Sequence, residues 1–194
     1  MTTTKLSIDI KEFLEKTTTK TFLFAARQFV DLLEMSDVDK NIFYPKAHRL
    51  LLELYLSGYN LDAIVLKYST NKKELTGIDE LFEDKNAGLI SELGKETFYW
   101  EAFDPTYFEQ GEEPNSEFTI KDGIVSQGWL VDDFEDIYKD IKKEILKIDN
   151  VGTDETIEDA LWQLRWGFIH HWGQHCINAL RYLHYLQYDG KKTY

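Results

Sequence analysis

The sequence predicts an all-α fold: one helical bundle spanning residues 1–194, with a long, kinked C-terminal helix and an irregular middle segment. Three observations predict it. Apolar residues recur at intervals of three and four along several stretches, which is the period of a helix face and not of a strand. The 194 residues are 43% hydrophobic and 14% aromatic, enough apolar surface to close one core at ordinary domain size. Between residues 69 and 127 the pattern fades and glycine and proline gather, so no second patterned unit stands out.

In chain order, Phe22, Ala25, Ala26, Phe29, Val30, Leu32 and Leu33 mark a helix near 20–34. Ser36 to Asp39 reads as a variant capping box, and Pro45 as a first-turn proline opening a helix near 45–57. Gly58 is expected to stop that helix, and Asn60 to cap a short one running to Tyr68. Loops and short helices are expected to surround the cluster Tyr99, Trp100, Phe103, Tyr107 and Phe108, with 109–117 as an exposed acidic loop. Asp122-Gly123 is a turn dipeptide between the short arms 118–120 and 124–125. Leu130, Val131, Phe134, Ile137, Tyr138, Ile141, Ile145 and Ile148 line one stripe of a helix over 130–148, with acids early and lysines late. Thr153 then caps a last helix over 154–188, with Gly167 and Gly173 as its kink points. Residues 1–19 and 189–194 are expected to be less ordered ends.

The formal charge of −13 handicaps any sequence-independent grip on nucleic-acid phosphates. A local excess of base (Arg165, Arg181, Lys191 and Lys192 against Asp189) sits on an acidic body, which suits self-association better than a phosphate track. The one cysteine, Cys176, leaves no internal disulfide to form. The N-terminus lacks the apolar run of a secretory signal, and no apolar stretch approaches the ~20 residues of a membrane span. A cytoplasmic protein with no membrane or nucleic-acid partner is expected.

His171 and His175 are four apart and project from one helix face, a usable two-ligand metal spacing. Trp172 stands where the zincin motif needs a glutamate base, so that class does not fit. Asp133 and Asp136 are the carboxylates that would complete a divalent-metal site, the one cofactor the residues leave open. Against it stand two half-buried, hydrogen-bonded histidines and a merely solvated acidic face, since the wheel turns Asp132, Asp136 and Asp140 away from the core. Arg165 falls within an apolar arc, where it needs a mate such as Asp133 or Glu144, or else serves an anion. Tyr99, Trp100, Phe103 and Trp129 from the middle would meet Trp162, Trp166 and Trp172 to wall an apolar cleft for a small molecule or peptide, with Arg165 selecting an anion; core packing accounts for the same rings. Cys176 and His175 diverge by about 100° on a helix, so Cys176 reads as a small buried residue and not as a nucleophile. Nucleotide-fold, P-loop, serine-hydrolase and zinc-ribbon fingerprints are absent.

The segments Asp132-Asp-Phe-Glu-Asp-Ile-Tyr138 and Trp172-Gly-Gln-His-Cys-Ile-Asn-Ala-Leu-Arg-Tyr-Leu-His184 resemble the bacterial helical family of domain-of-unknown-function 5063, most closely from Trp129 to Leu186. The resemblance implies a compact helical bacterial protein and brings no mechanism. The leading expectation is a non-catalytic interaction module, self-associating or bound to a protein partner. The alternatives are a metal-dependent hydrolase using His171 and His175, and the aromatic-cleft binder.

Overall fold

The structure, a computed structural model, describes residues 6–35, 39–69, 93, 97–102 and 125–188. Among these residues the order is α1 (Ile8–Glu15), α2 (Thr17–Leu33), α3 (Lys40–Asn60), β1 (Phe98–Ala102), β2 (Val125–Trp129), α4 (Leu130–Leu146), α5 (Asp154–His170) and α6 (Trp172–Tyr188). The all-α class holds, with one two-stranded antiparallel ribbon added in which Phe98 pairs with Trp129 and Ala102 with Val125. The ribbon escaped the periodicity reading because each strand is only five residues long and the sequence between them is irregular. The acidic loop 109–117, most of the hairpin expected at 118–125, Phe103, Tyr107, Phe108 and the C-terminal end 189–194 lie outside the described residues.

Within the N-terminal stretch expected to be less ordered, residues 6–19 are tied into the fold. Ser7 donates its amide to both Asp154 carboxylate oxygens (2.9 and 3.1 Å), tying the start of α1 to the start of α5. Ile10 and Phe13 of α1 then pack with Ile157 and Leu161 of α5 in a small cluster of their own. α3 starts at Lys40, not near Pro45, because Asp39 accepts the Asn41 amide at 2.9 Å and caps the helix five residues sooner. Pro45 is therefore interior, and the amide bond it cannot make to the Asn41 carbonyl is lost on an exposed face where water can replace it. Nor does Gly58 stop the helix, which continues through Asn60 into an irregular stretch over 61–69. Glycine is needed at 58 for packing: a Cβ there would lie 2.5 Å from the Trp172 ring and 2.8 Å from Phe168. The stretch after α3 is anchored by buried Glu158, whose carboxylate accepts the amides of Lys67, Tyr68 and Ser69 at 2.7–2.8 Å.

α4 obeys the stripe. Leu130, Val131, Phe134, Ile137, Tyr138, Ile141 and Ile145 are all buried, and the helix closes through a π turn over Lys147–Val151 that ends at Gly152 with φ +60°. Thr153 and Thr156 form a reciprocal capping box at the head of α5. The C-terminal helix expected over 154–188 is two helices. His171 leaves helical geometry (φ −147°, ψ −90°), so the kink is a full break between the two glycines. Both glycines are demanded by the corner: a Cβ on Gly167 would meet the Trp172 ring at 2.7 Å, and one on Gly173 the Phe168 carbonyl oxygen at 2.1 Å. Trp172 fills the inside of the bend, fully buried against Phe22 and Phe168, with its indole N–H donated to the Leu164 carbonyl at 3.1 Å. α6 thereby runs through the centre of the bundle, packed on α3, α4 and α5. No helix of the described residues is long and apolar enough to cross a membrane.

Candidate metal centre

The broken corner delivers His171 and His175 to one flank of α4. On that helix Asp133, Asp136 and Asp140 are spaced three and four apart, so they share a stripe beside the buried one. Asp133 is 3% exposed, and Asp136 and Asp140 are half-buried where α6 leaves the corner; the outward placement expected of Asp136 and Asp140 is thus corrected by the helix that covers them.

Each imidazole is held by a carboxylate behind it. His175 Nδ1 lies 2.8 Å from Asp133 Oδ1, and His171 Nδ1 lies 2.7 Å from Asp140 Oδ2. An ionised carboxylate can only accept, so both bonds place the proton on Nδ1 and leave Nε2 of a neutral ring as a lone-pair donor. His175 Nε2 lies 3.4 Å from Asp136 Oδ2. One ligating atom each from Asp136, His171 and His175 falls within 4.8 Å of the others. Two ligand bonds of about 2.1 Å meeting at the tetrahedral angle separate their donor atoms by about 3.4 Å, so the His175–Asp136 pair already has the span of a shared ion.

The network extends behind the ligand atoms. Tyr99 of β1 donates its hydroxyl to Asp133 Oδ2, so both Asp133 oxygens are engaged, and Asp133, expected as a ligand, is not among the three residues whose ligating atoms converge. Glu101, two residues along the same strand face, accepts from Asn178 Nδ2 (2.7 Å) and Ser126 Oγ (3.2 Å) and fastens the ribbon to α6. Burial pushes the Asp133 carboxyl above its ordinary range, against the downward pull of the His175 and Tyr99 bonds. The bond to Asp133 raises the His175 imidazole despite its partial burial. Tyr99 is pushed up by burial and by the carboxylate it faces, so it remains a hydroxyl donor at any physiological pH. Cys176 points into the core, fully buried and with its thiol pushed up by desolvation, as expected of a packing residue.

The structure does not gather the other predicted residues here. Arg165 meets neither Asp133 nor Glu144: its Nη1 donates to the Gly58 carbonyl at 3.2 Å and its guanidinium lies over the Phe168 ring. Glu144 has found Lys147 at 2.7 Å, three residues along the same helix end. The tryptophans are dispersed. Trp172 is core, Trp162 and Trp166 stack on each other along α5, Trp129 stacks on Phe98, and Trp100 stands 70% exposed on β1. Asp140, which the wheel turns outward, meets His171, and Tyr99, counted among the cleft aromatics, meets Asp133. Asp140 carried a signal, since Asp136/Asp140 and His171/His175 share a spacing of four residues; the tie of Tyr99 to Asp133 had none beyond its aromatic neighbours.

The model of a family described as a domain of unknown function (DUF5063) matches residues 14–189. Among solved structures, the crystal structure of protein BF1032 from Bacteroides fragilis is similar at 22% identity and a TM-score of 0.64, covering 94% of this chain and 99% of that one; the likeness is one of fold. No curated protein matches.

Proposed function

Because the chain belongs to the DUF5063 family, which brings a fold and no assigned activity, we propose on the geometry alone that the protein binds one divalent transition-metal ion through Asp136, His171 and His175. The observation that carries this is the pair of carboxylates on the two Nδ1 atoms. Histidines that merely pack need no such backing, whereas metal-ligating histidines almost always hand their second nitrogen to a carboxylate or carbonyl. Two imidazoles and one carboxylate suit Zn²⁺, Fe²⁺ or Mn²⁺ and leave coordination positions for water or substrate, the arrangement of a reactive site and not of a closed structural one. The ion would act there as a Lewis acid, with Asp133 and Asp140 holding the rings and setting their basicity.

Metal analysis of the purified protein, with isothermal titration of the apoprotein, tests the reading. One equivalent of ion is expected, lost in the His171→Ala/His175→Ala double variant. A protein that retains no ion and whose melting temperature ignores added Zn²⁺, Mn²⁺, Fe²⁺ and Ni²⁺ overturns it.

A second reading, self-association in the cytoplasm, is supported by a separate observation. Thr21, Phe24, Leu56 and Asn60 border an apolar groove between α2 and α3, with Phe24 and Leu56 each more than 60% exposed. Sedimentation at micromolar concentration tests it, and a strict monomer counts against it.

A further inference from the structure

Phe98, Tyr99 and Trp100 of β1 and Arg181, Tyr182 and Tyr185 of α6 line a cleft of about 310 Å³, with the Tyr99 ring on the face turned to α6. That is the size of a small-molecule site. Its walls are aromatic: the Tyr99 and Tyr182 rings lie 5.6 Å apart, and Tyr185, 58% exposed on α6, leaves ring surface for a ligand to cover. Among the described lining residues Arg181 is the one charged side chain, a cation on a chain of net charge −13. Among the described residues Arg181 enters no ion pair. Aromatic rings beside a guanidinium match a flat apolar body carrying a carboxylate or phosphate, and discriminate against an aliphatic or cationic one.

We propose that this cleft binds a planar aromatic anion, with the acid group on Arg181 and the ring against the aromatic wall. Tyr99 belongs to both places, since its ring lines the cleft while its hydroxyl holds Asp133, the carboxylate behind His175. His175, Asn178, Tyr182 and Tyr185 follow one another at three and four along a single face of α6. Tyr182 is thus about 10 Å along the axis from His175. A ligand anchored on Arg181 and extending toward the histidines would be the substrate of the metal centre. That second role rests on the metal reading; the binding itself does not.

The test is titration of the full chain with 1-naphthoate, followed by tryptophan fluorescence and calorimetry, with 1-naphthalenemethanol as the uncharged control. Naphthoate is expected to bind saturably and about tenfold or more tighter than the alcohol, a preference that Arg181→Gln removes while leaving the circular dichroism unchanged. Equal affinity for acid and alcohol, a preference that survives Arg181→Gln, or no binding at low-millimolar naphthoate overturns the proposal. His175→Ala is expected to keep naphthoate affinity. A protein that binds naphthoate and no metal refutes the metal reading and leaves the cleft, whereas one that binds metal and no naphthoate refutes the cleft alone.

Discussion

Asp133 occupies a position where a single atom exchange is informative. Asp133→Asn keeps the shape but replaces an acceptor with an amide that cannot accept from both His175 and Tyr99, so the imidazole loses its fixed tautomer. Metal affinity is expected to fall by about 10–100-fold with the helical signal intact, as calorimetry would show; unchanged affinity would mean that His175 is held by packing alone. A different buried carboxylate adds a pH dependence to stability. Burial pushes Glu144 up to about 7 from an ordinary 4.5, although Lys147 at 2.7 Å pulls the other way. The folded chain therefore holds this proton more tightly than the unfolded one. Its contribution is fully present below about 4.5 and is withdrawn as pH rises through about 7. Lys147 is raised by Glu144 and Asp159 against its own burial, so it adds no slope until well above neutrality. Glu144→Gln should flatten the dependence of denaturant midpoint on pH across that interval, and parallel curves for the two proteins would refute the assignment.

At the scale of elements, the break between α5 and α6 makes the site. In a continuous helix the two histidines would stay one turn apart on a single rod, and His171 would have no reason to meet Asp140. Gly173→Ala forces a Cβ to within 2.1 Å of the Phe168 backbone oxygen, which no side-chain rotation relieves. A loss of more than about 2 kcal/mol is expected from denaturant unfolding, together with weaker metal binding because the corner must open. A variant as stable as the parent would show the corner to be pliable. Trp172→Ala removes the ring that fills the same bend and should cost about 3–5 kcal/mol.

For the whole molecule, an ion that binds the folded chain and not the unfolded one shifts the equilibrium toward folding, so saturating metal should raise the melting temperature in a concentration-dependent way. Scanning calorimetry with and without chelator checks this. Sequence alone was enough for the helical class, most of α2, the buried stripe of α4 and the two histidines, because periodicity and i, i+4 spacing are local properties that the chain carries wherever it goes. It misplaced what depends on neighbours. Pro45 read as a helix start until Asp39 supplied an earlier cap, Gly58 read as a stop when its smallness admits Trp172, and Arg165 was assigned to acids that had closer partners in Lys147, His175 and Tyr99. A wheel drawn on α4 alone turned Asp136 and Asp140 to solvent; only the path of α6 after the break covers them. The candidate ligands were present in the residues by their chemistry. Their convergence was decided by tertiary structure, since Asp140 and His171 lie 31 positions apart and Tyr99 and Asp133 lie 34, distances over which only packing of whole elements determines which polar faces meet.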